Sequence, residues 1–205
     1  MTAGAFERLV KRVSAGGPEA ADACGLCSAP VGDDHAHVLD EQSGEPLCAC
    51  RACALLFEKD GAGQGHFRLV PDRRIRLTGV RTADLGIPVG LAFFVAGPDG
   101  AVVARYPSPA GATAWTVDPD VWTAATSGCP ELASLRPGSE ALLVSTVKGA
   151  PDDGGEQWLV PIDDCYRLVA IIREAWTGLS GGDRVWTEIE AFFGRLGLAE
   201  QNQEG

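Results

Sequence analysis

Cys24-Gly25-Leu26-Cys27 and Cys50-Arg51-Ala52-Cys53 are two Cys-x-x-Cys pairs, separated by twenty-two residues. Two intervening residues let both sulfurs of a tight knuckle face one ion at about 2.3 Å, and two such knuckles close a tetrahedron. The pattern predicts a structural metal site with Cys24, Cys27, Cys50 and Cys53 as ligands and Zn2+ as the ion. A rubredoxin-like site holds Fe in the same four thiolates at the same spacing, and stands as the alternative. Between the knuckles His35, His37 and Leu39 alternate and Ser43-Gly44 marks a turn, so residues 33–46 predict a short hairpin. Residues 52–59 have helix-forming composition, which places Cys53 in a first helical turn. Knuckle, hairpin and helix in that order describe a treble-clef or zinc-ribbon-like module.

Three neighbours complicate the ligand set. Cys48 lies two residues before Cys50 and shares its face on a presumed strand, so it is a competing ligand. The preferred reading is a small buried apolar residue. His35 and His37 also lie two apart and, with Cys48, offer a second or alternative ligand set. A pair of hairpin side chains is the preferred reading, because four cysteines already fill the tetrahedron. A catalytic zinc keeps an open position, so the closed shell points to structure. A reactive disulfide pair belongs at the strand-to-helix junction of a βαβ unit, a pattern this chain lacks.

Outward from this module the chain divides by composition. Phe6, Leu9, Val10 and Val13 fall on one helical face, so residues 1–17 predict an N-terminal helix ended by Ala-Gly-Gly-Pro. The metal module occupies residues 18–60, and Asp60-Gly61-Ala62-Gly63-Gln64-Gly65 reads as a linker. Residues 66–200 predict an α+β domain with a mainly antiparallel sheet and C-terminal helices, and 201–205 a tail. Its strands are expected over 67–77, 89–96, 101–106, 140–147 and 157–162. Helices are expected over 118–127, over 163–176 with Asp163 or Asp164 at its start, and from Ser180 onward.

The 205-residue chain has a formal net charge of −11. That balance argues against nucleic acid unless positive charge is concentrated locally. Arg68, Arg73, Arg74, Arg76 and Arg81 form the one basic stretch, read as a solvated face or as ion-pair partners of the acidic segments. No apolar run approaches the roughly 18 residues of a membrane span. The N-terminus lacks the pattern of a secretory signal, and a cytoplasmic location is expected, where thiols stay reduced.

Catalytic patterns are sparse. The chain has neither a phosphate-binding P-loop nor a dinucleotide fingerprint, and His66 has no nucleophile near it in sequence. Cys129 and Cys165 read as core residues, and Asp163 and Asp164 as helix-start carboxylates. Tyr106-Pro-Ser-Pro-Ala-Gly-Ala-Thr113 reads as an ordinary connection, with a rigid binding loop as its functional alternative. Gly178-Leu-Ser-Gly-Gly182 reads as a cap and hinge, with anion binding by its amides as the alternative.

Several phrases carry a resemblance: Cys24-Gly-Leu-Cys-Ser-Ala-Pro30, Asp34-His-x-His-x-Leu-Asp40, Leu47-Cys-Ala-Cys-Arg-Ala-Cys-Ala-Leu-Leu-Phe57, Ile87-Pro-Val-Gly-Leu-Ala-Phe-Phe94 and Trp176-Thr-Gly-Leu-Ser-Gly-Gly182, together with the Tyr106 to Thr113 segment. They resemble an uncharacterised family of actinobacterial proteins, a domain of unknown function whose genes accompany those of high-affinity nickel–iron hydrogenases. The resemblance implies an accessory or assembly role and assigns no catalytic residue. It also implies that His35 and His37 belong to a shared pattern. The leading expectation is therefore a zinc-stabilised accessory protein that binds a protein partner. An iron electron-transfer protein and an enzyme with a pocket in the α+β domain are the alternatives.

Overall fold

The computed structural model describes residues 23–32, 35–58, 66–87, 90–147, 155–178 and 181–203. The predicted N-terminal helix, the Gly-rich linker at 60–65 and the acidic loop at 148–154 lie outside them. The chain divides into two compact units, Met1–Asp72 and Arg73–Gly205.

The first unit holds a three-stranded antiparallel sheet in the order β2-β1-β3. The predicted hairpin is β1 (Ala36–Asp40) and β2 (Glu45–Ala49), followed by a short helix α1 (Arg51–Leu55). Asp40 shapes the turn, accepting from the Gln42 amide at 2.9 Å and the Ser43 hydroxyl at 3.0 Å. β3 (Phe67–Leu69) pairs with the other edge of β1. The apolar cluster is small: Val38, Ala49 and Ala54 are buried, with Leu26, Ala36, Leu47, Phe57, Phe67 and Leu69 packed around them.

The expected strand over 67–77 is instead two strands in different sheets. β4 (Ile75–Arg76) pairs with β9 of the second unit, while β3 stays with β1. Pro71 lies between them and has no N–H to give a ladder, so a continuous strand stops there.

The second unit is a six-stranded, wholly antiparallel sheet in the order β4-β9-β8-β5-β6-β7. Its remaining strands are β5 (Leu91–Ala96), β6 (Val102–Ser108), β7 (Gly111–Thr116), β8 (Glu140–Ser145) and β9 (Glu156–Pro161). Both faces of the middle strands are buried. Phe94, Leu142 and Leu159 lie in register and join one apolar cluster that includes Trp122 and Ala125 of helix α2 (Pro119–Thr126). Their neighbours Phe93, Leu143 and Trp158 form the row on the other face, where Phe93 meets Tyr166 of helix α3 (Ile162–Ala175) edge to face. α3 packs on β6, β8 and β9, and the last helix, α4 (Gly182–Gln203), packs on α3.

Local chemistry accounts for the boundaries. Asp118 caps α2 by accepting from the amides of Asp120 and Val121, with Pro119 in the first turn. α3 starts earlier than expected. Pro161 is its N-cap, and Asp164 does not cap but accepts from Arg74 Nε at 2.7 Å. α4 runs on to Gln203, into the residues expected as a tail. The Tyr106–Thr113 stretch is not an open loop: β6 and β7 pair up to Ser108 and Gly111, leaving Pro109 and Ala110 as a two-residue turn. Gly79 and Gly128 bring two backbones together, since a Cβ on Gly79 would lie 2.5 Å from the Gly128 carbonyl oxygen.

One buried side chain clips that region to the sheet. Gln157 Oε1 accepts from the Val80 amide at 3.1 Å while its Nε2 donates to the Val80 carbonyl at 2.9 Å. Gln157→Leu keeps the bulk but leaves a buried N–H and C=O without partners. Its expected cost is about 2–3 kcal/mol in urea unfolding followed by tryptophan fluorescence; a loss near zero would show that water replaces the clip.

Candidate metal centre

The first knuckle is shaped by its own backbone. The Cys24 amide donates to the Ala29 carbonyl and the Ser28 amide to the Cys24 carbonyl, both at 2.8 Å. Ser28 takes a positive φ of 63°, a conformation non-glycine residues adopt at a cost, which turns the chain back on itself. The Gly25 amide donates to the Cys48 carbonyl at 2.8 Å, seating the knuckle against β2. A Cβ at Gly25 would come within 3.1 Å of the Leu47 Cβ, so this close seat favours glycine.

The second knuckle spans the β2–α1 junction. β2 ends at Ala49, Cys50 is the extended N-cap of α1, and Cys53 lies inside the helix. The Cys50 side chain makes no capping hydrogen bond, and its carbonyl accepts from the Ala54 amide at 2.9 Å. The shared strand face expected for Cys48 and Cys50 is therefore not formed, because the strand stops between them.

These elements bring Cys24, Cys27, Cys50 and Cys53 together with all four sulfurs within 4.8 Å of one another. Cys27 Sγ and Cys50 Sγ stand 3.7 Å apart. A tetrahedron with bonds of about 2.3 Å has edges of about 3.8 Å. The cluster can hold one metal ion. Cys24 is buried and Cys27 exposed, so the site lies between the small core and the surface.

The electrostatics point the same way. Burial pushes the Cys24 thiol up, but the backbone amides of Cys50, Leu26 and Cys27 outweigh it and bring it down to about 6. Hydrogen bonding with Cys27 and Cys50, followed by burial, pushes Cys53 up to about 12. One thiolate next to thiols that resist ionising is the arrangement a divalent cation relieves, since it lets all four deprotonate together.

The remaining candidates fall elsewhere. Cys48, His35 and His37 form their own group, with one ligand atom from each lying within 4.8 Å of the others. His66 Nε2 stands 4.0 Å from Asp40 Oδ1. Cys129 and Cys165 are buried in the second unit, and burial pushes both thiols up. The five arginines of the basic stretch each meet a carboxylate: Arg68 with Glu41, Arg73 with Glu140, Arg74 with Asp164, Arg76 with Glu156 and Arg81 with Asp84. Among the described residues, no helix is long and apolar enough to cross a membrane.

Cysteine spacing named the four thiols but not the backbone groups that set them, the Ser28 turn and the amide at Gly25. The Gly at the second knuckle position is the one sequence signal for that close approach. Comparison with known proteins found no match among curated proteins and none among solved structures. The sequence profile of a family of unknown function, DUF5947, matches residues 23–200, which takes in both units from the first knuckle to near the end of α4. The chain belongs to this family of unknown function.

Proposed function

We propose that the protein is a zinc-stabilised accessory protein whose metal module presents a surface to a protein partner. The observation that carries this reading is the complete four-thiol cluster beside exposed apolar side chains. Leu55, in the same short helix as Cys53, and Leu56 at its end are 53% and 60% exposed. Four thiolates leave a zinc ion no open position, so the ion fixes the helix without binding substrate. Adjacent exposed leucines on a metal-fixed scaffold suit a docking surface. In this reading the partner belongs among proteins that assemble metalloenzymes, nickel–iron hydrogenase first, with the resemblance noted in the sequence as its support.

Affinity capture with the full chain from its host tests the proposal. The wild type is expected to retain a defined partner, and Leu55→Asp/Leu56→Asp to lose it while keeping its metal. Recovery of no partner under mild conditions counts against the reading. The iron electron-transfer reading rests on the same thiols and on the exposure of Cys27, an edge through which an electron can pass. The absorption spectrum of protein purified without added metal separates them: colourless with one zinc per chain supports the staple, and thiolate-to-iron bands support electron transfer.

A further inference from the structure

Strands β1 and β2 place a second set of metal-binding side chains on the sheet face away from the small core. Ala36, Val38, Leu47 and Ala49 occupy the core side of the hairpin, and Val38 and Ala49 are fully buried there. Alternation sends His37 and Cys48 to the other side. These two are direct cross-strand partners, with His37 Nε2 3.9 Å from Cys48 Sγ. His35, two residues earlier, stands beside His37 with ring centroids 4.7 Å apart and planes tilted by 50°. The rings are tilted against one another, not stacked flat.

His35 carries the decisive detail. Its Nδ1 lies 2.6 Å from the Gly32 carbonyl oxygen, and only a protonated Nδ1 can donate there. Nε2 is then the nitrogen with the lone pair, and it is buried without a hydrogen-bond partner among the described residues. A buried acceptor left unmatched costs about 1–3 kcal/mol. Metal-ligating histidines characteristically donate their second ring nitrogen to a backbone carbonyl, which fixes the tautomer and orients the other nitrogen toward the metal. A cysteine sulfur and two imidazoles, with one ligand atom of each within 4.8 Å of the others, complete the donor set.

We propose that His35, His37 and Cys48 form a second metal site, separate from the four-cysteine staple, that binds a borderline divalent transition ion. Two imidazoles and one thiolate select zinc, cobalt, nickel or copper over magnesium or calcium. Three protein donors leave a four-coordinate ion one position for water or for a donor from outside the chain. This site is therefore the exchangeable one, and the tetrathiolate the permanent one. Cys48 is not a spare ligand for the staple: its partners are the two histidines that precede it in the hairpin.

The test is metal titration of the full chain, with zinc and cobalt as the probes. Equilibrium dialysis against free zinc in the micromolar range is expected to give two ions per chain, the second removed first by a mild chelator. The variants His37→Ala and Cys48→Ser are each expected to bind one ion, with the staple and the fold retained. Nitrogen NMR of the wild-type imidazoles supplies a readout that needs no variant. The ring nitrogens of His35 and His37 are expected to shift with the second equivalent of zinc and not the first. One ion per chain at saturating zinc, a second ion that survives in His37→Ala/Cys48→Ser, or imidazole shifts that ignore the second equivalent each overturn the proposal. The outcome is distinct from that for the staple, since loss of the first ion tests the four cysteines and loss of the second tests this trio.

Discussion

Stripping the staple metal, or replacing Cys24 or Cys53 by serine, is expected to unfold the first unit and leave the second intact. Among its described residues the first unit has a three-stranded sheet, a five-residue helix and an apolar cluster with three buried side chains. A core of that size does not offset the conformational entropy of ordering the chain, about 1–2 kcal/mol per residue for the backbone alone. Structural zinc supplies an apparent 10–16 kcal/mol, roughly, and in small metal modules that binding energy is folding energy. The second unit has its own six-stranded sheet and its own apolar cluster.

The tryptophans separate the two responses. All five lie between Trp115 and Trp186, so their fluorescence reports the second unit alone. Chelation is expected to collapse the dispersed amide NMR signals of the hairpin while the fluorescence-detected urea transition stays where it was. Acid acts in the same direction as a chelator, because protons compete for the thiolates. Cys129→Ala, which alters a thiol outside the cluster, is expected to keep the full metal content. Retention of dispersed hairpin signals in metal-free protein would refute the staple.

How much of this was legible in the sequence depends on the range of each interaction. Cysteine spacing is a local signal with a strict chemical meaning, and the four thiols meet where it places them. The apolar runs Leu91-Ala-Phe-Phe94 and Ala141-Leu-Leu-Val144 read as strands, and their lack of alternation is explained by burial on both faces. Long-range pairing was not legible. Nothing local told that Phe67–Leu69 would join β1 and Ile75–Arg76 join β9, although Pro71 marks the place where the chain changes sheets. β7 was missed because Gly111-Ala-Thr-Ala-Trp-Thr116 is built largely of small residues and is held in place by its ladder to β6.

The second ligand set shows the same division. Sequence placed His35 and His37 on one side of a hairpin. It offered Cys48 both as a competitor at the Cys50 knuckle, two residues away, and as a third donor beside the two histidines. Strand register separates the two: His37 opposes Cys48 across the ladder, and β2 ends before Cys50. Register depends on the whole hairpin, on the Asp40 turn and on which face carries Val38 and Leu47, so counting along the chain does not reveal it.

Glu140→Ala is expected to be the most damaging single change in the second unit, at about 3–5 kcal/mol, the range for stripping one partner from a buried ion pair. Glu140 begins β8 and its side chain is fully buried. One carboxylate oxygen accepts from Arg73 Nε; the other accepts from Arg73 Nη2 and from the Arg136 amide, each at 2.8 Å. Arg73 Nη2 also reaches the Ser134 carbonyl at 2.8 Å, so one guanidinium ties β8 to the segment that leads into it. The hydrogen bonds to Glu140 hold the Arg73 guanidinium above its ordinary range, against a smaller effect of burial. Alanine at 140 leaves a cavity, an unmatched Arg136 N–H and a guanidinium without its counter-charge. Glu140→Gln keeps the shape and one acceptor and is expected to cost less. Arg73→Met/Glu140→Leu removes both charges and is expected to recover much of the loss, since apolar replacement of a buried pair is often near neutral. It stops short of full recovery because the Arg136 amide and the Ser134 carbonyl still lose their partners. Urea unfolding followed by tryptophan fluorescence measures the whole cycle. A single-variant loss below about 1 kcal/mol, typical of exposed pairs, would show that Arg73 and Glu140 do not act as a buried pair; so would additivity in the double variant.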